Sequence, residues 1–242
     1  MLIIEGGRGL FASALRSTNA EALLVMAKSI LSPPFLFQFS VPIRQRDRIW
    51  SDKPLDYSDD YRLQSFSQLD SKRQFADIRC GWNERGISFS FNISGKRLAV
   101  WCRESRVEES DGVQLWIDTR ATHNVHRATR FCHRFSFLPT GGGHSLREPC
   151  GDQLLINRSR ENAAPVRPGD LRVRANIRAD GYLMECCIPA TALTGYDPNE
   201  YDKLGFFYAV MDREMGWQTF SVNNQFPFDE DPSVWGTLEM AK

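Results

Sequence analysis

The amino-acid sequence predicts an all-β chain, an antiparallel two-sheet β-sandwich with a short N-terminal helix or extension. After residue 45 no long helical period occurs, and apolar residues instead alternate with polar ones at a period of two. Turn-forming residues separate these stretches at intervals typical of sandwiches. We therefore expect one ligand-binding-like domain over residues 35–242 and an N-terminal extension, helical or disordered, over residues 1–34.

The N-terminal extension contains one helix signal. Thr18 and Glu21 form a capping-box pattern in front of an apolar run that Ser32-Pro-Pro34 ends. The run is short and has Glu5 and Glu21 on its N-terminal side, unlike a signal peptide, which predicts a cytoplasmic protein, with export left open. Met26 offers a second plausible start, so residues 1–25 are not used to infer function.

Five stretches show the alternation that is typical of half-buried strands. They are residues 35–43, 87–93, 113–117, 131–137 and 172–178. Ala179-Asp-Gly181 fits a tight hairpin that joins the last stretch to residues 182–188. The segments Asp47–Lys72 and Gly141–Asp170 are predicted to be long surface loops, which in compact domains are usually functional or disordered.

Composition limits the classes of partner. The 30 basic and 30 acidic residues cancel, which disfavours nucleic acid and anionic membranes as partners. No apolar run of about 18 residues is present, so no membrane span is predicted. The six cysteines include no C-x-x-C pair, and we expect free thiols that act as small core residues in a reducing compartment, with disulfides as the alternative.

Four short motifs follow one another between residues 111 and 238. Asp111-Gly-Val-Gln-Leu-Trp-Ile-Asp118 is similar to the pattern D-[SG]-V-E-[IL]-x-[IV]-D, and Gly181–Pro189 fits G-Y-x-x-E-x-x-I-P. Leu204–Asp212 fits L-G-F-x-x-x-V-x-D, and Trp217 precedes the closing Trp235-Gly-Thr-Leu238. In this order the motifs resemble those of the family 9 carbohydrate-binding-module-like domains, within the wider DOMON-like group of β-sandwiches.

The resemblance implies a jelly-roll-like sandwich that binds rather than catalyses. Some members bind sugars, and some relatives carry haem. The sugar-binding members hold a terminal sugar between two aromatic side chains, because the apolar face of a pyranose stacks on rings. The place of the first aromatic holds Arg106–Glu109 in this chain, without a ring, and the place of the second offers Phe226 and Phe228.

A His- and Arg-rich connection follows Asp118, where a sandwich would have a rim and carry its site. Its candidate ligand-binding residues are Arg120, His123, His126, Arg127 and Arg130. Arginine forks would bind a carboxylate, phosphate or sulfate, for example on an acidic sugar. Alternatively, imidazole and thiolate groups would bind zinc or another transition metal. The candidate metal ligands are His123, His126, Cys132 and His144. A solvated loop whose arginines bridge to nearby acids is the third interpretation.

The turn after Leu204–Asp212 is the second candidate region. Asp212 and Arg213 are predicted at a rim, and the carboxylates of Asp212 and Glu214 would serve acid–base chemistry or hold calcium. Salt bridges to nearby arginines are the commoner use of such clusters. Trp217 would either stack against a ligand or fill the core.

No catalytic residue set is recognisable. The sequence contains no G-x-S-x-G, H-E-x-x-H or P-loop pattern, and no G-x-G-x-x-G after a predicted strand. We therefore predict a non-catalytic domain without a cofactor that binds a carbohydrate or another polar, anionic small molecule in one rim site formed by residues 119–134 and 212–217. The alternatives are a metal-binding protein or enzyme that uses the loop 123–144 with zinc or calcium, and a protein-interaction module.

Overall fold

The computed structural model of this 242-residue chain describes residues 39–64, 66, 74–221 and 226–241. The predicted N-terminal extension, residues 1–34, and the beginning of the predicted strand 35–43 lie outside these ranges. The described residues form eleven strands and four short 3₁₀ turns. The strands are β1 (Ser40–Gln45), β2 (Ala76–Asn83), β3 (Gly86–Ser94), β4 (Gly112–Asp118), β5 (Cys132–Gly142), β6 (Glu148–Leu154), β7 (Arg172–Arg178), β8 (Gly181–Pro189), β9 (Lys203–Asp212), β10 (Gly216–Thr219) and β11 (Gly236–Ala241). The turns are Asp59–Tyr61, Glu104–Glu109, Ala190–Ala192 and Pro232–Val234.

Hydrogen bonds join the eleven described strands into one mixed sheet. The strand order is β6-β5-β4-β9-β11-β1-β2-β3-β8-β7, and β10 pairs with β9. Neighbouring strands are antiparallel except β1, which lies parallel to both β11 and β2. The predicted β architecture is confirmed, but the sheet is mixed and nearly closed into a barrel-like shape, and its hydrogen bonds do not divide it into two sheets. A sheet of this many strands curls because strand twist accumulates across it.

Burial of the alternating residues agrees with the predicted strands. Val41 and Ile43 of β1 are buried, as are Ile87 and Phe89 of β3. Phe89 stacks on Phe206 of β9 with ring centres 5.6 Å apart, so the core faces of β3 and β9 meet. Removing each side chain of this size from water stabilises the fold by roughly 1.5–3 kcal/mol.

The predicted hairpin around Ala179-Asp-Gly181 is present and joins β7 to β8. Gly181 has a φ of +150° at the start of β8. A side chain at this position would place its Cβ 2.1 Å from the carbonyl oxygen of Ile93 on β3. Glycine permits this close approach, and it therefore allows β3 and β8 to pair up to the end of the hairpin.

The predicted loop Gly141–Asp170 is wrong in part, because it contains β6. The β6 sequence shows no regular alternation of apolar and polar residues, and the strand forms through backbone hydrogen bonds to β5. It lies at an edge of the sheet, where a proline such as Pro149 is tolerated. The described part of the predicted loop Asp47–Lys72 contains the 3₁₀ turn Asp59–Tyr61 and no strand.

The thiol groups lie mostly inside the fold. All six cysteines are free, and all except Cys150 are buried, as expected for small core residues. Burial raises the pKa of the Cys132 thiol to about 12, so this group is uncharged at neutral pH. The described residues contain no helix that is long and apolar enough to cross a membrane.

Candidate functional site

The sheet has a second face, opposite the core. Along β4, Val113, Leu115 and Ile117 pair with core residues of β9, so Gln114 and Trp116 point to the other side. We call this side of β6, β5, β4, β9 and β10 the outer face. Gln114 and Trp116 are nevertheless only 2% and 1% exposed, because Arg134 packs against both side chains and Phe228 against the Trp116 ring.

An arginine and an amide form the polar centre of the outer face. Arg134 Nε and Nη2 donate to Oε1 of Gln114 at 3.0 and 2.6 Å. The same Nη2 donates to Oε1 of Glu108 at 2.8 Å. The Arg134 side chain is 8% exposed, whereas that of Glu108 is 73% exposed. A buried cation is thus held by a neutral amide and by an exposed carboxylate.

The register of β4 and β5 brings this centre together. Trp116 pairs with Arg134, and Gln114 pairs with Ser136, so the four side chains share one face. The Arg134 guanidinium carbon lies 5.3 Å from the centre of the Trp116 ring. Trp116 Nε1 and Ser136 Oγ are buried and have no hydrogen-bond partner within the described residues. Such unpaired polar atoms are uncommon in folded proteins, and a ligand or an ordered water often completes them.

Aromatic side chains border the polar centre. Phe228 meets the Trp116 ring edge-on, with ring centres 5.3 Å apart. Trp217 of β10 lies 6.4 Å from Phe228 and remains 45% exposed. It pairs with Met211 of β9, whose sulfur lies 3.6 Å from Nε2 of Gln114. The exposed indole of Trp217 and the amide of Gln114 therefore lie on the same face of the sheet. Strand β9 lies between their strands, which places them roughly 10 Å apart.

The comparisons with known proteins identify the fold. No family model and no curated protein matches the chain. Among solved structures, the chain is similar to a family 9 carbohydrate-binding module from Caldicellulosiruptor kristjanssonii in complex with glucose, with a TM-score of 0.59 and 11% identity over 84% of this chain and 96% of that one. The complex of such a module from the same organism with cellotriose gives a TM-score of 0.55 and 11% identity over 84% and 93% of the two chains. A protein from Bacteroides uniformis gives 0.51 and 12% identity over 84% and 99%.

This chain has the fold of a family 9 carbohydrate-binding module. The resemblance found in the four sequence motifs is thereby confirmed at the level of the fold. Membership of the DOMON-like group stays a prediction.

The place of the first expected aromatic in this module fold is occupied by the 3₁₀ turn Glu104–Glu109. The turn contains no aromatic residue, and its Glu108 accepts a hydrogen bond from Arg134. An aromatic side chain that was not considered in the sequence, Trp101, lies just before the turn. Its ring centre is 4.5 Å from the guanidinium carbon of Arg213, which explains the position of that predicted site residue.

The two candidates for the second aromatic differ in exposure. Phe228 is buried, 3% exposed, and its ring stacks on Phe207 at 4.4 Å. Phe226 is half-buried. Phe228 therefore packs against the Trp116 ring of the outer face. Of Phe226, Phe228 and Trp217, it is Trp217 whose ring is largely exposed to solvent.

The first residues of the His- and Arg-rich connection have partners within the protein. Arg120 Nη1 donates to the carbonyl oxygen of Gly195 at 2.6 Å, and its guanidinium carbon lies 3.9 Å from the centre of the Tyr201 ring. His123 Nε2 lies 2.8 Å from the hydroxyl oxygen of Thr237. Arg120 is thus held by several groups at once, as expected for a structural role.

His126 and Arg127 of the connection border a surface pocket of about 470 Å³. His126 Nδ1 lies 3.1 Å from a carboxylate oxygen of Asp231, and Arg127 Nε donates to the carbonyl oxygen of Arg158 at 2.9 Å. Arg130 lies outside this pocket, 4.0 Å from Glu161, and both side chains are 57% exposed. The pocket is lined by His126, Arg127, Arg158, Pro227, Glu230 and Asp231. Its basic and acidic groups balance, so it offers no net charge to an ion.

The connection after Asp118 and the turn after Asp212 lie at opposite ends of β4. Asp118 pairs with Gly205 at the start of β9, whereas Gly112 pairs with Met211 at its end. A seven-residue strand such as β4 spans roughly 20 Å. The two regions therefore do not form the single rim site that was predicted from the sequence.

Asp212 lies inside the protein rather than at a rim. Lys96 Nζ donates to Asp111 at 3.2 Å and to Asp212, and the three side chains are almost completely buried. The N–H groups of Glu214 and Met215 donate to the other carboxylate oxygen of Asp212 at 2.9 and 2.8 Å. Asp212 thus forms a buried ion pair with a lysine rather than with an arginine, whereas Glu214 pairs with Arg97, which is 89% exposed.

The four candidate metal ligands are dispersed. Cys132 begins β5, and His144 lies beyond the opposite end of this eleven-residue strand. His123 and His126 contact different groups, as described above. Among the described residues, no group of three or more His, Cys, Asp or Glu side chains is placed to hold a metal ion.

Sequence reasoning missed Gln114 and Glu108 and left Arg134 out of the chosen site residues. Gln114 carried a signal, because it is a polar residue between the apolar Val113 and Leu115 of a strand and must face away from them. Glu108 carried none, since its contact with Arg134 depends on the path of an irregular turn.

Proposed function

We propose that this chain is a non-catalytic carbohydrate-binding domain that holds a sugar on the outer face, between Trp217 and the Gln114–Arg134 pair. The observation that carries the proposal is the combination of an exposed indole with a planar amide and a guanidinium on one face. A sugar ring presents an apolar face that stacks on an aromatic ring, and its hydroxyls bind planar polar side chains.

The solved structures with this fold support the same ligand class. The modules from Caldicellulosiruptor kristjanssonii were obtained in complex with glucose and with cellotriose, and this chain covers 96% and 93% of them. At 11% identity this likeness gives the fold, and the outer-face residues of this chain carry the step from fold to ligand.

A binding role fits the state of the buried carboxylates better than a catalytic one. Asp111 and Asp212 both contact the ammonium of Lys96 and accept hydrogen bonds from backbone N–H groups. Both side chains are almost completely buried and bound by groups of the protein itself, so they are not placed to reach a substrate.

Replacing Trp217 with Ala is expected to weaken sugar binding by about tenfold or more, because the stacking surface is lost; tenfold corresponds to about 1.4 kcal/mol. Calorimetric titration with glucose, cellotriose and a panel of further mono- and oligosaccharides measures the effect on the best ligand. Ile177→Ala is the matched control, since Ile177 is 47% exposed on β7, away from the outer face. Equal affinities of the Trp217→Ala variant and the parent protein would contradict the site, and no binding of any sugar would contradict the function.

A further inference from the structure

We infer that the preferred ligand of the outer face is a sugar that carries a carboxylate, such as a uronic acid, and that this carboxylate replaces Glu108 on Arg134. The inference rests on the proposed carbohydrate binding and names the class of sugar. It follows from the hydrogen-bonding groups of the outer face, from the pairing of buried cations in this protein and from the exposed position of Glu108.

The outer face offers more donors than acceptors. A guanidinium has five N–H groups, and within the described residues the Nη1 group of Arg134 donates no hydrogen bond. Among the described residues, Trp116 Nε1 is buried without a partner, and Nε2 of Gln114 contacts only the weakly accepting sulfur of Met211 at 3.6 Å. The Oε1 atom of Gln114 is already occupied by Arg134. A ligand that completes this set must accept hydrogen bonds, and an ionised carboxylate only accepts them.

The charge of Arg134 is compensated differently from that of two other cations in the described residues, the buried Lys96 and the partly buried Arg174. Lys96 lies between two carboxylates that are 1% and 0% exposed. Arg174 pairs with Glu185, which is 3% exposed. The acidic partner of Arg134, in contrast, is 73% exposed and comes from a surface turn. Because a buried charge needs a close counter-charge, a ligand carboxylate in bidentate contact would suit Arg134 better than Glu108 does.

Glu108 can leave Arg134 without disturbing the core. The turn Glu104–Glu109 buries none of its residues, and Arg106 interrupts its helical conformation with φ −140° and ψ 54°. Arginines lie beside the turn. The guanidinium carbons of Arg103, Arg106 and Arg213 lie 5.9, 6.0 and 4.5 Å from the centre of the Trp101 ring. The turn also carries Glu104 and Glu109, and Oε1 of Glu109 accepts a hydrogen bond from Arg106 at 3.0 Å.

The test compares glucuronic acid with its methyl ester, which has the same ring and no charge. Calorimetric titration of the parent protein is expected to show at least about tenfold tighter binding of the acid. Glu108→Ala is expected to strengthen binding of the acid severalfold and to leave binding of the ester unchanged, because the competing internal carboxylate is gone. Gln114→Glu is expected to reduce binding of the acid by about tenfold or more, since the new carboxylate would occupy Arg134.

Glu109→Ala is the matched control on the same turn, and it is expected to leave the affinity for the acid unchanged. Denaturation midpoints of all variants verify that they are folded. Equal affinities for the acid and the ester, or no gain in Glu108→Ala, would overturn the inference and leave carbohydrate binding in place. Binding of cyclohexanecarboxylate as tight as that of glucuronate, with no neutral sugar bound, would support carboxylate recognition and overturn the proposed carbohydrate function.

Discussion

Replacing Lys96 with Met is expected to lower the free energy of unfolding by about 3–5 kcal/mol, because it leaves two carboxylates buried without their cation. Lys96 is 4% exposed, and its ammonium contacts Asp111 and Asp212. In the variant the two negative charges would repel each other at short range in a site with little water. Denaturation with urea at neutral pH measures the change.

The pH dependence of stability in the parent protein provides a second readout. In the parent protein, burial alone lowers the pKa of Lys96, but its hydrogen bonds and charge interactions with Asp212 and Asp111 outweigh this effect and raise it. The contribution of Lys96 is therefore fully present at neutral pH and is lost as the pH rises through the raised pKa.

The control for this variant is Lys203→Met. Lys203 lies 3.4 Å from Glu239, and the two side chains are 52% and 43% exposed. Exposed pairs of this kind contribute little, so we expect a change of less than about 0.5–1 kcal/mol. If Lys96→Met lowers the free energy of unfolding as little as Lys203→Met does, the buried ion pairs do not hold the turn after Asp212 to β4.

Acidification through the range from pH 6.5 to 4 is expected to remove about 3 kcal/mol of stability through His133, since each pKa unit corresponds to about 1.4 kcal/mol. His133 is 1% exposed, and burial lowers its pKa from 6.5 to about 4. The N–H of Thr194 donates to Nε2 of His133 at 3.0 Å, so this nitrogen carries no proton in the folded state. Between the two pKa values the unfolded chain binds the proton and the folded chain does not, so stability is full above pH 6.5 and falls as the pH drops towards 4.

Urea denaturation at a series of pH values measures this effect. His133→Gln should give a flatter profile between the pKa values of His133, because the group that gains a proton on unfolding is absent. His144→Gln is the control, since His144 is exposed and its replacement should leave the profile unchanged. The stabilisation by Glu214 is present above its ordinary pKa of 4.5 and is lost only as the pH falls below that value, because hydrogen bonds from Leu98 and Arg97 lower its pKa in the folded protein to about 2. Identical profiles for the parent protein and His133→Gln would refute the assignment.

The parts of the fold that sequence predicts well are those that local chemistry decides. The β7–β8 hairpin follows from Ala179-Asp-Gly181 and from alternation on both sides, which are short-range signals. No comparable short-range pattern in the sequence predicts strand β6 or the parallel pairing of β1. Ser40 pairs with Thr237 across nearly the whole chain, and local residue patterns do not specify which distant strand completes a ladder.

The candidate site shows the same division. Trp217 was recognised from its place after β9, and the structure leaves it exposed on β10. Gln114 and Arg134 are twenty positions apart and meet because of the register between β4 and β5. The composition of the His- and Arg-rich connection predicts a site, but in the structure His123 contacts Thr237 and His126 contacts Asp231. Composition reports which groups are present, whereas a site depends on which of them share a face.

Sugar binding on the outer face is tested most directly by NMR observation of the indole N–H resonances of the six Trp residues during titration with glucose or glucuronate. The Trp116 and Trp217 signals are expected to shift with increasing ligand, because one indole N–H gains a partner and the other ring is covered. The Trp82 signal should remain in place, since its indole donates to the carbonyl oxygen of Ile43 away from the outer face. Unchanged Trp116 and Trp217 signals at the highest soluble ligand concentration would contradict a sugar site on this face.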